Sequence, residues 1–174
     1  MKTLIYQYVN PYFKDSDLSQ QSIRKYCELM GADYKLYTGD IVLAKQSPGT
    51  LWGIFYPFLF DLEHITQYDK ICYIDADILA VKNRDNIFDV SGLISGCHNY
   101  ASMSRNIETD YHDTYLHFDT SHFSKENQGI FKRLSDIAGY TSRGINTGVV
   151  LFSKPIFILL SEWLKHNQER MLNI

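Results

Sequence analysis

The stretch Tyr68-Asp69-Lys70-Ile71-Cys72-Tyr73-Ile74-Asp75-Ala76-Asp77 decides how the rest of this chain is read. Lys70 to Ile74 is a short, β-favouring apolar run and predicts a buried strand. That strand delivers Asp75 and Asp77 at its C-terminal end, and Ile78 to Val81 is expected to continue extended. Working upstream, Phe58, Leu59, Leu62 and Ile65 mark an amphipathic helix from about Tyr56, with Pro57 tolerated only in its first turn. Thr3 to Val9 reads as a first buried strand, interrupted by Asn10-Pro11. Asp15-Ser16-Asp17 offers helix caps, and Leu18, Ile23, Tyr26, Cys27 and Met30 follow at helical spacing until Gly31 closes the helix. Tyr34 to Tyr37 is a short second strand, and Ser47-Pro48-Gly49 a turn. Downstream, Leu93 to Cys97 is another short strand, and about 99 to 127 is polar, pattern-poor and expected to be irregular. Asn146 to Phe152 is a strong strand. Ser153 then caps a helix in which Ile156, Leu159, Leu160, Trp163 and Leu164 share a face.

Strands alternating with helices predict an α/β sandwich around a mostly parallel sheet. In such sheets ligands gather beyond the carboxyl ends of the strands, where Asp75 and Asp77 would lie. The bulk composition agrees. The chain has 174 residues, 45% hydrophobic and 21% charged, which suits one compact domain over 1–174 with a real core. The net charge of -3 is spread without a basic block, which argues against a nucleic-acid partner. Aromatics at 14% suit a filled core or a pocket that stacks on rings. Cys27, Cys72 and Cys97 are odd in number and widely separated, and read as reduced core residues. The apolar run after Lys2 is too brief for a signal peptide, and no stretch is long enough to span a bilayer, so a cytoplasmic location is expected.

Two carboxylates one residue apart can reach a single cation together where the backbone turns. Hard cations such as Mn²⁺ or Mg²⁺ take oxygen ligands and commonly combine one or two carboxylates with substrate phosphates. A cation held so offsets charge on a departing nucleoside diphosphate. Ala76, small, lets the backbone come close to the nucleotide. The bare motif is weak: 14 Asp in this chain make roughly one Asp-x-Asp by chance. Asp15-Ser16-Asp17 has the same form, but it precedes a helical pattern with no strand before it and reads as capping. Only Asp75 and Asp77 end an apolar strand. The bland alternative for them is a strand-end turn with solvated acids.

The run from Tyr68 to Leu79 resembles the "yd-k-v-l-y-l-D-a-D" segment of GT-A glycosyltransferases, in particular the family containing glycogenin and the bacterial lipopolysaccharide galactosyl- and glucosyltransferases. Asn86-Ile87-Phe88-Asp89 is similar to their "l-f-d" segment. Gly144-Ile145-Asn146-Thr147-Gly148-Val149-Val150-Leu151-Phe152 resembles the "f-N-s-G-v-m-l" strand that lines their donor-sugar pocket. The first strand with Val9-Asn10-Pro11-Tyr12 matches where they hold uracil and ribose. The matches run in order from about Thr3 to Phe152. The overall character is also similar to glycosyltransferases of large algal viruses, which for a viral protein implies the host cytoplasm. The resemblance implies a GT-A (Rossmann-like) sandwich and a metal-dependent hexosyltransferase using a UDP-sugar, with a glycan or glycoprotein acceptor. It implies Asp75 and Asp77 as metal ligands. Gln7, Tyr8, Asn10, Tyr12, Asp75 and Ala76 would contact the nucleotide, and Asn146, Thr147 and Gly148 the donor sugar.

Departures from that pattern are specific. The helix Tyr56-Pro57-Phe58-Leu59-Phe60-Asp61 lacks the basic residue those enzymes carry there. The late His-x-x-Gly-x-x-Lys that completes their metal site is absent before Ile174. Either another residue supplies the third ligand or the sequence is part of a longer domain. Among other residues, Gln7, Tyr8, Asn10 and Tyr12 have an edge-of-core alternative to base contact. Asn146 and Gly148 have the alternative of a strand start needing a cap and a bulge. Arg143 suits either a phosphate or solvent, and Trp52 suits buried packing better than covering a nucleotide. His98, His112, His117 and His122 lack zinc-ligand spacing and read as loop histidines, one of which is an option for the third ligand. Asp119, Glu126 and Asp136 are carboxylates near a potential acceptor wall, and no catalytic base is assigned among them. Two competing readings are a haloacid-dehalogenase-type phosphatase with Asp75 as nucleophile, and a catalytically silent carbohydrate-binding domain. Against the phosphatase, Leu79 stands where that motif carries Thr or Val.

Overall fold

The computed structural model describes residues 1–9, 16–39, 50–81, 85–98, 125 and 145–172. The chain forms the α/β sandwich expected of it. Its strands are β1 (Thr3–Val9), β2 (Asp33–Thr38), β3 (Lys70–Ile74), β4 (Ile94–His98) and β5 (Ile145–Ser153), in the sheet order β2-β1-β3-β5-β4. β1 pairs in parallel with both β2 and β3, and β5 runs antiparallel between β3 and β4. Four strands therefore point one way and β5 alone is reversed. The helices are α1 (Asp17–Met30), α2 (Tyr56–Phe60), α3 (Leu62–Ile65) and α4 (Phe157–Leu172), with short 3₁₀ turns at Thr50–Phe55, Ile87–Asp89 and Lys154–Ile156.

Alternation along the strands fills two cores. Leu4, Tyr6 and Tyr8 of β1 and Ile71 and Tyr73 of β3 face one side, where α2, α3 and α4 cover them with Phe58, Ile65, Phe157, Leu160 and Leu164. Ile5, Cys72 and Ile74 face the other side against Ile23, Tyr26 and Cys27 of α1, with Phe88 of the second 3₁₀ turn. Cys27 and Cys72 are buried free thiols, as expected. Among the described residues no helix is long and apolar enough to cross a membrane.

Four local expectations change. Leu18 is 72% exposed while its neighbour Ser19 is buried, because α1 offers hydroxyls as well as apolar groups to the sheet side. Ser16 is the N-cap, yet its side chain accepts from the Gln20 amide at 2.9 Å instead of from a backbone N–H. The single helix expected from Tyr56 is two, broken at Asp61 (φ −144°, ψ 34°). There the Asp61 carboxylate accepts from Lys35 and from Tyr37, each at 2.6 Å, and this tertiary demand overrides helical continuity. Ser153 caps a 3₁₀ turn rather than α4, and its hydroxyl donates to the Gly92 carbonyl at 2.6 Å. Ser47-Pro48-Gly49 and 99–127 lie outside the described residues, Lys125 apart.

Candidate functional site

The strand directions bring the carboxyl ends of β1, β2, β3 and β4 and the start of β5 to one end of the sheet. Asp75 and Asp77 sit there, where β3 ends and the chain turns. The Asp75 N–H donates to the Gly148 carbonyl at 2.8 Å, extending the β3–β5 ladder by one bond. The Ile78 N–H closes the turn onto the Asp75 carbonyl at 3.2 Å. Gly148 thus lies beside Asp75, and Asn146 and Thr147 precede it in the same strand, with Asn146 paired to Cys97 across a β-bulge. The side chains of Asn146 and Thr147 lie outside the described residues, as do Asn10, Tyr12, Arg143 and the remaining loop carboxylates and histidines. His98 ends β4 opposite Ile145, so its backbone reaches the same end.

Asp75 is half-buried, and Asp77 is exposed. Tyr73 and Asp75 are two residues apart and so share a strand face. The Tyr73 phenol donates to Asp75 Oδ1 at 2.6 Å and leaves Oδ2 without that partner. Burial pushes the Asp75 carboxyl up, the Tyr73 bond pulls it down, and the neighbouring Asp77 charge pushes it up again; the net direction is upward. Burial, then the Asp75 charge, raise the Tyr73 phenol, so it stays a donor across the ordinary pH range. A cation placed beside the half-buried Asp75 would offset the cost of ionising it.

Gln7 and Tyr8, read as nucleotide contacts, have their polar ends committed within the fold. Gln7 is fully buried. Its Nε2 donates to Ser19 Oγ at 2.9 Å and to the Asp75 carbonyl at 3.0 Å, while its Oε1 accepts from Tyr34 at 2.8 Å. Tyr8 donates its hydroxyl to the Gly39 carbonyl and stacks at 5.5 Å on Tyr56.

Residues of α1 that the sequence did not assign to the site tie down the chain after the turn. Ser19 Oγ donates to the Ile78 carbonyl at 2.5 Å. Ser22 Oγ accepts from the Ala80 N–H at 2.9 Å and donates to its carbonyl at 3.1 Å. Tyr26 donates to the Asp85 carbonyl and accepts from the Ile87 N–H, each at 3.0 Å. Ser19, Ser22 and Tyr26 follow i, i+3, i+7 spacing, a stripe that was readable on α1 but was masked by the apolar periodicity beside it. The Ile78–Val81 segment joins no strand of the sheet; this stripe takes the place of a ladder.

No protein-family model matches the sequence, and no curated protein matches it. Among solved structures, one described as a glycosyltransferase involved in the glycosylation of the major capsid of PBCV-1 is similar at a TM-score of 0.45 and 13% identity. The likeness covers 97% of this chain and 68% of that one. A likeness at that level says nothing of function by itself.

Proposed function

We propose that this protein is a metal-dependent glycosyltransferase that moves a hexose from a UDP-sugar to a glycan or glycoprotein acceptor. The observation that carries the reading is the Asp75–Asp77 turn at the carboxyl end of β3, bonded through Asp75 to Gly148 at the start of β5. Two sequence segments that resemble the same enzyme family are thereby neighbours in space. The donor set is hard oxygen, which suits Mn²⁺ or Mg²⁺. Among the described residues no group of three or more His, Cys, Asp or Glu converges. Beside the two carboxylates, phosphate oxygens and water would take further positions on the cation. When bound, the cation would offset the charge gathering on the departing UDP.

The chain's own residues would do the rest. Tyr73 holds one oxygen of Asp75 and so fixes the direction in which the other is offered. Ala76 keeps the turn open to a diphosphate, and the backbone from Asn146 to Gly148 would carry the hexose beside it.

Binding measured by calorimetry against a panel of nucleotide-sugars, with and without Mn²⁺, tests the class and the base preference together. We expect Mn²⁺-dependent binding of a UDP-sugar, and loss of turnover by at least about a hundredfold in Asp75→Asn and in Asp77→Asn. Full activity in either variant would sink the reading. Sugar binding indifferent to Mn²⁺ and UDP would mark a catalytically silent domain, and an acyl-phosphate on Asp75 would mark a phosphatase.

A further inference from the structure

We infer that Gln7 is a positioning residue for the Asp75–Asp77 turn, acting through the main-chain carbonyl of Asp75. This rests on the reading of that turn as the metal-holding element. Gln7 stands one residue beyond Tyr6, the last β1 residue paired with β3. It is on the α1 side of the sheet, where Ile5, Cys72, Ile74 and Ile23 make the surroundings apolar. A buried amide there is costly unless every donor and acceptor is used. Both Nε2 hydrogens and Oε1 are engaged, by the Asp75 carbonyl, Ser19 and Tyr34. The orientation of the amide is fixed by its partners, since the Asp75 carbonyl can only accept.

The Asp75 carbonyl belongs to the peptide that joins Asp75 to Ala76. It already accepts from Ile78, a bond internal to the turn that does not tie the turn to the sheet. Gln7 supplies the tie from β1, opposite the tie that Gly148 makes from β5 to the Asp75 N–H. The peptide groups flanking Asp75 are thus held from both neighbouring strands, and the direction of its carboxylate is set on two sides. Ser19 couples the same amide to Ile78 beyond the turn, through its bond to that carbonyl. An apolar residue at position 7 would pack as well and would leave the turn anchored on one side only.

The test compares Gln7→Met, Ser19→Ala and Tyr26→Phe with the unaltered chain. Each is followed by thermal unfolding and by calorimetric titration of Mn²⁺ in the presence of UDP, and of UDP alone. Gln7→Met keeps length and volume, and should weaken Mn²⁺ binding about tenfold while UDP binding without metal is unchanged. Ser19→Ala removes one partner of the amide and should give a smaller loss in the same direction, which covers the case that Gln7→Met folds poorly. Tyr26→Phe removes two bonds to the chain at Asp85 and Ile87 and should lower the Tm without moving Mn²⁺ affinity. Mn²⁺ affinity equal to the parent in both Gln7→Met and Ser19→Ala overturns the inference, as does a loss no larger than that of Tyr26→Phe. If the unaltered chain binds no Mn²⁺ with UDP, the functional reading fails and takes this inference with it.

Discussion

At the scale of single residues, Asp61 shows how one side chain redirects the backbone and leaves a pH signature. Burial alone would raise its carboxyl, but the bonds from Lys35 and Tyr37 outweigh burial and hold it below the ordinary value of 3.8. A carboxyl depressed in the fold adds stability above the unfolded-chain value and loses it as pH falls through the lower folded value. Asp61 and Lys35 are 27% and 34% exposed, so solvent screening keeps the ion pair's own share small. Asp61→Asn should cost about 1 kcal/mol at neutral pH. In urea unfolding, the gap between variant and parent should persist down to the ordinary carboxylate value and close below it. A gap that widens on acidification would contradict this account. The same scale marks a limit of legibility. Leu18 and Ser19 are adjacent on α1, and hydrophobicity alone puts the wrong one inside. Ser19 is buried because Gln7 and the Ile78 carbonyl, distant in sequence, satisfy its hydroxyl, and the apolar periodicity of α1 masks the polar stripe it begins.

At the scale of elements, what periodicity can carry was legible and what depends on partners was not. β1 and β3 run where their apolar stretches predict, and Asp75-Ala76-Asp77 stops β3 chemically. The end of α1 at Gly31 is equally local, since Gly31 adopts φ 65° at low cost. The reversal of β5 is not legible, since a strand's pattern is the same read in either direction. Yet that reversal brings its N-terminal residues, rather than its C-terminal ones, to Asp75. The 3₁₀ segment Thr50–Phe55 is set by a steric demand of the same non-local kind. A Cβ on Gly53 would fall 2.6 Å from Cδ1 and 2.8 Å from Cβ of Tyr8, close to the β1 backbone rather than at the end of a flexible chain. The segment approaches β1 closely enough for Tyr6 to donate its hydroxyl to the Ile54 carbonyl at 2.6 Å. Gly53→Ala should therefore push the segment off β1 and cost about 1–3 kcal/mol, as overpacked cores do. Chemical denaturation measures it, and Tyr8→Ala combined with Gly53→Ala should lose less than the sum of the two. Strict additivity would mean that the two positions do not collide.

At the scale of the whole molecule, the high aromatic content, which suited either a filled core or a ring-stacking pocket, becomes a property of the core. Tyr6 lies at 5.8 Å from Tyr37 and 5.5 Å from Tyr73, and Tyr37 at 5.1 Å from Tyr56, so phenols line the side covered by α2, α3 and α4. Burial comes first among the causes that push up Tyr6, Tyr34, Tyr37, Tyr68 and Tyr73, with Tyr34 and Tyr68 reaching about 12. Burial likewise raises the Cys27 thiol to about 12. A group raised in the fold contributes stability that is whole below its unfolded-chain value, here 10.0 for tyrosine, and is lost as pH climbs through the raised one. Each phenol kept neutral one pH unit above that value withdraws about 1.4 kcal/mol of stability. The five phenols together withdraw about 7 kcal/mol at that pH, comparable with the roughly 5–15 kcal/mol that holds a domain folded. The protein should therefore unfold cooperatively between about pH 10 and 12. Tyrosinate absorbance should rise in two parts: an early one from exposed tyrosines and a late, steep one coincident with loss of far-ultraviolet circular dichroism. Tyr37→Phe should move the steep part to higher pH, because it removes a phenol whose ionisation the unfolded chain favours. Complete tyrosinate formation while the circular dichroism stays native would show that these phenols are open to solvent and that the aromatic layer does not seal the core.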